Sequence, residues 1–248
     1  MKKNILFSTL FGLAGLVLAA DPSPKDDVLA AAKKLADKGS YSWKTSLDFG
    51  PNSQFQISPT DAKIDKEGTV WLTFTTRDGA AIQGIKKGSK IAIKTDQGWQ
   101  AGQADAGGGG GGFADPVVGG TRRLQNLKTP AAEVEELAGK VKDLKKDGDA
   151  YSGELTEDGA KSLVTQGGFG RRGGGGGGGN APAAKNAKGS VKFWVKDGVI
   201  SKYESKVQGT VTGRDGEDRD IERATTVELK DVGTTKIDVP EEAQKKLS

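Results

Sequence analysis

The sequence predicts an α+β fold in which helices cover one face of an antiparallel sheet. Two observations predict it. Large apolar residues recur at every second position in several segments, with Lys, Ser, Thr and Asp between them. That is the pattern of strands with one wet face, since parallel strands buried on both faces would be apolar throughout. These segments are also interrupted by helical stretches in the order helix, strands, helices, strands, which lets the helices cover the apolar side of the sheet.

Residues 1–20 read as a cleavable secretory signal peptide. Lys2 and Lys3 give a positive start, Ile5 to Leu18 form an uncharged apolar stretch, and small Ala19 and Ala20 precede Asp21-Pro22. A periplasmic or extracellular location is therefore expected. The apolar stretch is shorter than the ~20 residues that span a bilayer, and no other run approaches it, so no transmembrane segment is expected and the mature chain should be soluble.

Residues 21–248 are expected to form a single domain with glycine-rich inserts near 104–114 and 166–189. Ser23-Pro24 reads as an N-cap followed by proline at the first helical position, with Asp26 and Asp27 in the first turn and Gly39 just past the end. Val28, Ala31, Ala32 and Leu35 share one face of that helix. Tyr41, Trp43, Thr45, Leu47 and Phe49 then alternate with Ser42, Lys44, Ser46 and Asp48, the clearest strand in the chain.

Shorter patterns predict strands at Phe55-Ile57, at Val70, Leu72 and Phe74, and at Lys90–Lys94 before Gly98-Trp99. Thr129-Pro130 opens a second helix and Thr156-Glu157-Asp158 a third, with strands at Val141–Lys146 and Tyr151–Leu155 around the Asp147-Gly148 turn. The sheet resumes at Val191, Phe193 and Val195 and returns through Val199 to Val207. At the Asp197-Gly198 turn, a two-residue loop sets Phe193 opposite Lys202. A three-residue loop with Gly198 left-handed pairs Val195 with Val199 and Phe193 with Ser201; the second register keeps apolar groups together and is expected. Strands at Thr225–Lys230 and Lys236–Val239 and a weakly amphipathic Glu241–Leu247 close the chain.

Composition excludes several functions. Removal of Lys2 and Lys3 leaves 35 basic against 33 acidic residues, a near balance that argues against nucleic acid as partner. Without cysteine the chain carries no disulfide, no thiol nucleophile and no lipid-modified cysteine. Without histidine it lacks triads, His-ligated metal and the usual general base near neutral pH. The 33 acids show no pair in a local setting that marks glycoside hydrolysis, so no enzyme activity, catalytic residue or cofactor is expected.

The glycine runs contain G-x-G-x-x-G by composition alone, outside any βαβ context, and read as surface loops. Phe169-Gly170-Arg171-Arg172 and Arg122-Arg123 supply too few arginines for polyanion binding. Asp215-Gly216-Glu217-Asp218-Arg219-Asp220 offers four carboxylates to calcium, yet lacks EF-hand spacing and is neutralised by Arg214 and Arg219, so it reads as a solvated hairpin tip and no metal site is assigned. The aromatics Tyr41, Trp43, Phe49, Phe74, Trp99 and Phe193 either fill an ordinary core or line a cavity under the helices.

Three stretches carry a family resemblance: the helix leading into Tyr41-Ser-Trp-Lys-Thr-Ser-Leu-Asp-Phe49, the hairpin Val191-Lys-Phe-Trp-Val-Lys-Asp-Gly-Val-Ile-Ser-Lys-Tyr203, and the ending Thr226-Val-Glu-Leu-Lys-Asp-Val-Gly233 with Ile237-Asp-Val-Pro240. In these and in element order the chain resembles the LolA/LppX superfamily of bacterial envelope lipid and lipoprotein carriers. The resemblance implies a strongly curved antiparallel sheet, an unclosed half-barrel whose concave face is covered by helices and holds a lipid or lipoprotein acyl chain. Trp43, Leu47, Phe49, Leu72, Phe74 and Phe193 would then line the ligand site. Two readings follow: an exported carrier or sensor of a hydrophobic ligand, or a non-catalytic structural or interaction module whose core is filled. An apolar pocket above ~300 Å³ favours the first and a packed interior the second.

Overall fold

The structure, a computed structural model, describes residues 23–50, 53, 57–76, 79–103, 115–166, 184–213 and 216–248. The signal-peptide segment, the first glycine-rich insert, Phe55 and Phe169–Arg172 lie outside the described residues. Helix α1 (Pro24–Lys38) leads into a meander of β1 (Tyr41–Asp48), β2 (Thr60–Ile64), β3 (Val70–Thr75), β4 (Ala81–Lys87), β5 (Lys90–Thr95) and β6 (Gly98–Ala101). Two helices, α2 (Pro116–Asn126) and α3 (Pro130–Gly139), precede β7 (Lys145–Asp147) and β8 (Ala150–Glu154). Helix α4 (Glu157–Gln166), the long strands β9 (Ala184–Lys196), β10 (Val199–Thr212) and β11 (Asp218–Lys230), and α5 (Glu241–Leu247) complete the order.

All eleven strands join one antiparallel sheet in the order β6-β5-β4-β3-β2-β1-β11-β10-β9-β8-β7, with β6 and β7 as its two edges, so the half-barrel is unclosed. Strands consecutive in the chain are neighbours everywhere except between β6 and β7. That one connection must pass from edge to edge, and it does so through α2 and α3. The crossing itself therefore supplies part of the cover that the apolar face requires. Helix α2 packs on β4 and β5, α4 on β9 and β10, and α1 on β9, β10 and α3. Together with the inner side chains of the sheet they form one core; α5 lies on the other face, its Ala243 against Ile85, Ala92 and Trp99.

Helix α1 forms as its sequence dictates. Ser23 and Asp26 make a reciprocal capping box, Pro24 stands at the first turn, Gly39 ends the helix at φ 67°, and the face of Val28, Ala31, Ala32 and Leu35 is buried. Helix α2 escapes the sequence reading because Gly119 and Gly120 each lower helix propensity by about 1 kcal/mol. Its signal was Asp115-Pro116: the Asp115 side chain caps Val117 N–H and Val118 N–H, and Pro116 sits at the first helical position. Gly120 is needed for contact, since a Cβ there would come within 3.0 Å of Ile93 Cδ1.

Several expectations are corrected. Ile57 lies outside any strand and is exposed, and the pairing falls instead to β2, where only Ala62 and Ile64 reach the core. Strand β4 was unreadable because Ile82 faces the main core while Ile85 faces α5, with Gly84 between them, which breaks the period of two. Ala184–Gly189, grouped with the second glycine-rich insert, belong to β9.

The hairpin register also differs. Val199 pairs with Lys196 and Ile200 with Val195 across a two-residue turn, with Asp197 at φ 54° and Gly198 at φ 72°, the paired positive φ values of a type I′ turn. A register shift between Ile200 and Lys202 then sets Phe193 opposite Tyr203. One extra residue, Ser201, lets the tight turn and the apolar alignment coexist, which two alternatives without a bulge could not.

Candidate functional site

The inner face is built from cross-strand rows. One runs Leu229, Trp43, Ala62, Leu72, Gly84, Ile93 from β11 to β5, and another Val227, Tyr203, Phe193, Tyr151 from β11 to β8. The sheet thus brings Trp43, Leu72, Phe74 and Phe193 into one core, where they are 5, 2, 5 and 0% exposed. The cover over them is close. The Leu124 side chain of α2 occupies the space above Gly84, the Arg123 guanidinium lies 4.2 Å from the centre of the Phe74 ring, and the Lys86 ammonium donates to the Leu124 carbonyl at 3.4 Å.

Leu47 and Phe49 differ from the other four. Leu47 stands opposite Thr225 on the same inner face, and both it and Phe49 are only half-buried. Trp99 departs altogether: it pairs with Lys94, so it points to the outer face, where it meets Trp71 edge-on at 6.0 Å under α5. Grouping it with the inner aromatics fails because the β5–β6 turn puts it out of phase with Ile93.

Three polar groups enter this interior that the sequence reading did not single out. The Tyr203 hydroxyl donates to a Glu133 carboxylate oxygen beneath α3, where burial, ahead of every other influence, pushes the Glu133 pKa up. The same burial, with the Glu133 charge beside it, raises Tyr203 well above its ordinary value. Arg223 stands on β11 two residues from Thr225 and so on the inner face, near Leu47. Its Nη2 donates to the Leu163 carbonyl in the last turn of α4, and burial lowers its pKa. Among the described residues no carboxylate pairs with it. The alternation Ile221, Arg223, Thr225, Val227, Leu229 could have placed it there, had the Thr225–Lys230 strand been extended backwards.

A cleft of about 520 Å³ lies elsewhere, on the outer face over β8–β10, lined by lysines, carboxylates and serines including Lys145, Ser152, Ser190 and Lys206. The Asp215–Asp220 stretch is described from Gly216 onward; there Asp218 accepts from Thr212 and Lys185 and Asp220 from Thr210.

No protein-family model matches the chain, and no curated protein matches it. Among solved structures it is similar to the Mycobacterium tuberculosis lipoprotein LppX, at 12% identity and a TM-score of 0.44 over 85% of this chain and 98% of that one. It is similar also to LprF from Mycobacterium bovis, at 13% identity and a TM-score of 0.44 over 89% of this chain and 97% of that one.

Proposed function

We propose that the chain is an exported, non-catalytic carrier or sensor of an acyl-chain amphiphile, with the tail against Leu47 and Phe49 and an anionic head at Arg223. The observation that carries this reading is the setting of Arg223. A mostly buried guanidinium with five donors and one described acceptor is a costly arrangement unless an anion completes it. It stands on the inner face, near half-buried Leu47. A ligand carboxylate there would form a charge-assisted, two-pronged pair while its chain displaced water from the apolar side chains. Trp43, Leu72, Phe74 and Phe193 lie deeper on the same face and would receive the chain only as the roof of α2 and α3 shifted.

The test is titration of the full chain with a fluorescent fatty acid, together with organic extraction of protein purified from its own envelope. Binding that Arg223→Gln weakens about tenfold, with lipid in the extract, is the expected result. Protein that carries no lipid and ignores the probe would overturn it. The second reading, an interaction module with a filled core, then stands, and one observation favours it: Phe193, Leu72, Ile93 and Leu124 are buried together in one core.

A further inference from the structure

The outer-face cleft is independent of that reading and sits on the opposite side of the sheet. At about 520 Å³ it falls within the ~300–1,000 Å³ of small-molecule sites. Its floor is short and its walls are long. In one cross-strand row Ser152 lies between Lys145 and Lys192, with Glu204 beyond Lys192; in the next, Ser190 lies between Glu154 and Lys206. Strands stand ~4.8 Å apart, so a lysine side chain is long enough to reach a group bound over the serine beside it.

The charges in the cleft do not cancel. Glu154 is paired with Lys142 at 3.7 Å, and Glu204 with Lys202 at 2.8 Å. Lys145, Lys192 and Lys206 have no carboxylate partner among the described residues, against one lining carboxylate in the same condition, Asp143. Lys192 is steered by the Trp194 ring, 4.8 Å from its ammonium.

The wall is fixed rather than loose. Val141 bridges Leu155 and Lys145 pairs with Ser152, so Lys142, Asp143 and Leu144 oppose only Gly153 and Glu154, a bulge in the edge. Gly153 permits it, because a Cβ at that position would come 2.2 Å from the Asp143 carbonyl oxygen, and Lys142 N–H locks it by donating to the Glu154 carbonyl at 2.9 Å.

We propose that this cleft binds a phosphorylated sugar, its phosphate over Ser152 between Lys145 and Lys192 and its ring hydroxyls toward Glu154, Ser190 and Lys206. Two ammoniums and a hydroxyl suit a phosphate, with Glu204 on the far side of Lys192 and engaged by Lys202, whereas Glu154 stands directly beside Ser190 in the second row, where it suits a hydroxyl donor and disfavours a second anion. The rows are two residues apart along the strands, ~7 Å, about the reach of one hexose ring from its phosphate.

Calorimetric titration of the full chain with glucose 6-phosphate, glucose and inorganic phosphate tests this, beside sedimentation with phosphatidylglycerol vesicles. Glucose 6-phosphate should bind about tenfold more tightly than either part alone, and the Lys145→Ala, Lys192→Ala double variant should lose about tenfold while melting as the wild type does. A single Ser152→Val substitution, which leaves the charge intact, should also weaken binding. Equal affinity for inorganic phosphate, an indifferent double variant, or lysine-dependent binding to vesicles without binding of the free sugar phosphate would each overturn the proposal.

Discussion

Tyr151 and Tyr203 stand on either side of Phe193 in one cross-strand row, and each donates its hydroxyl to an acid on a different covering helix. Tyr151 reaches Asp27 of α1 at 2.9 Å, and Tyr203 reaches Glu133 of α3. Tyr41, on β1, meets the start of α3 as an acceptor instead: burial raises its pKa, and hydrogen bonds to its oxygen from Thr129 and the Ala131 backbone N–H oppose that rise. All three tyrosines of the chain therefore act as struts: an apolar ring buried in the sheet's core and a polar tip that fixes a helix above it.

Removing one strut should loosen its helix. Tyr203→Phe leaves the Glu133 carboxylate mostly buried without its donor, a loss of about 1–3 kcal/mol. Urea denaturation at neutral pH measures it, and the amides of α3 should exchange faster than those of β10.

Glu133 also makes stability depend on pH. Its folded pKa is raised by burial, so the folded chain holds this proton more firmly than the unfolded chain, whose glutamates titrate near ~4.3. The stabilisation from Glu133 is then complete below the unfolded value and is lost as pH rises through the folded one. Glu133→Gln keeps an acceptor for Tyr203 and removes the proton, so its stability relative to wild type should rise from pH 4 toward neutrality. A wild-type and variant difference that stays flat across that window would contradict the assignment.

The contact between α2 and the sheet depends on a missing side chain. A Cβ on Gly84 would meet Leu124 Cδ1 at 2.6 Å and Ile93 Cδ1 at 3.0 Å. Gly84→Ala should therefore cost about 1–3 kcal/mol by overpacking, read as a lowered melting temperature, whereas Gly79→Ala, in open space but at positive φ, should cost only its backbone strain.

The turn between β9 and β10 is testable at Gly198. Its φ of 72° disfavours any side chain, and a Cβ would press on the Lys34 ammonium at 2.7 Å, which itself donates to the Asp197 carbonyl at 2.9 Å. Gly198→Val should destabilise the hairpin by ~1 kcal/mol or more.

What the sequence disclosed follows from how local each signal was. Helix α1 has its cap, proline, apolar stripe and terminal glycine within one short stretch, and β1 alternates without interruption, so both were legible. Strand β4 was not, because α5 draws Ile85 to the other face, and that contact is between residues far apart in the chain. The Ser201 bulge was invisible for the same reason: it is required by the pairing of Phe193 with Tyr203, not by the turn beside it. Of the inner-face residues, Trp43, Leu72, Phe74 and Phe193 could be read from alternation, whereas Arg223 and Glu133 acquire their importance only from burial by other elements.

The four tryptophans allow the inner and outer faces to be interrogated separately. Trp43 is the one on the inner face; Trp71 and Trp99 contact each other under α5, and Trp194 lies on the outer face beneath the ammoniums of Lys192 and Lys202, at 4.8 and 4.9 Å. A fatty acid held on the inner face should change the emission of Trp43 alone. Trp43→Phe should abolish the fluorescence response to a fatty-acid titration, while a variant carrying Trp71→Phe, Trp99→Phe and Trp194→Phe should retain it, provided both melt cooperatively. A sugar phosphate in the outer cleft should do the reverse, acting on Trp194 by drawing Lys192 away from its ring. A fatty-acid response that survives Trp43→Phe would place the apolar ligand away from the inner face and contradict the carrier reading.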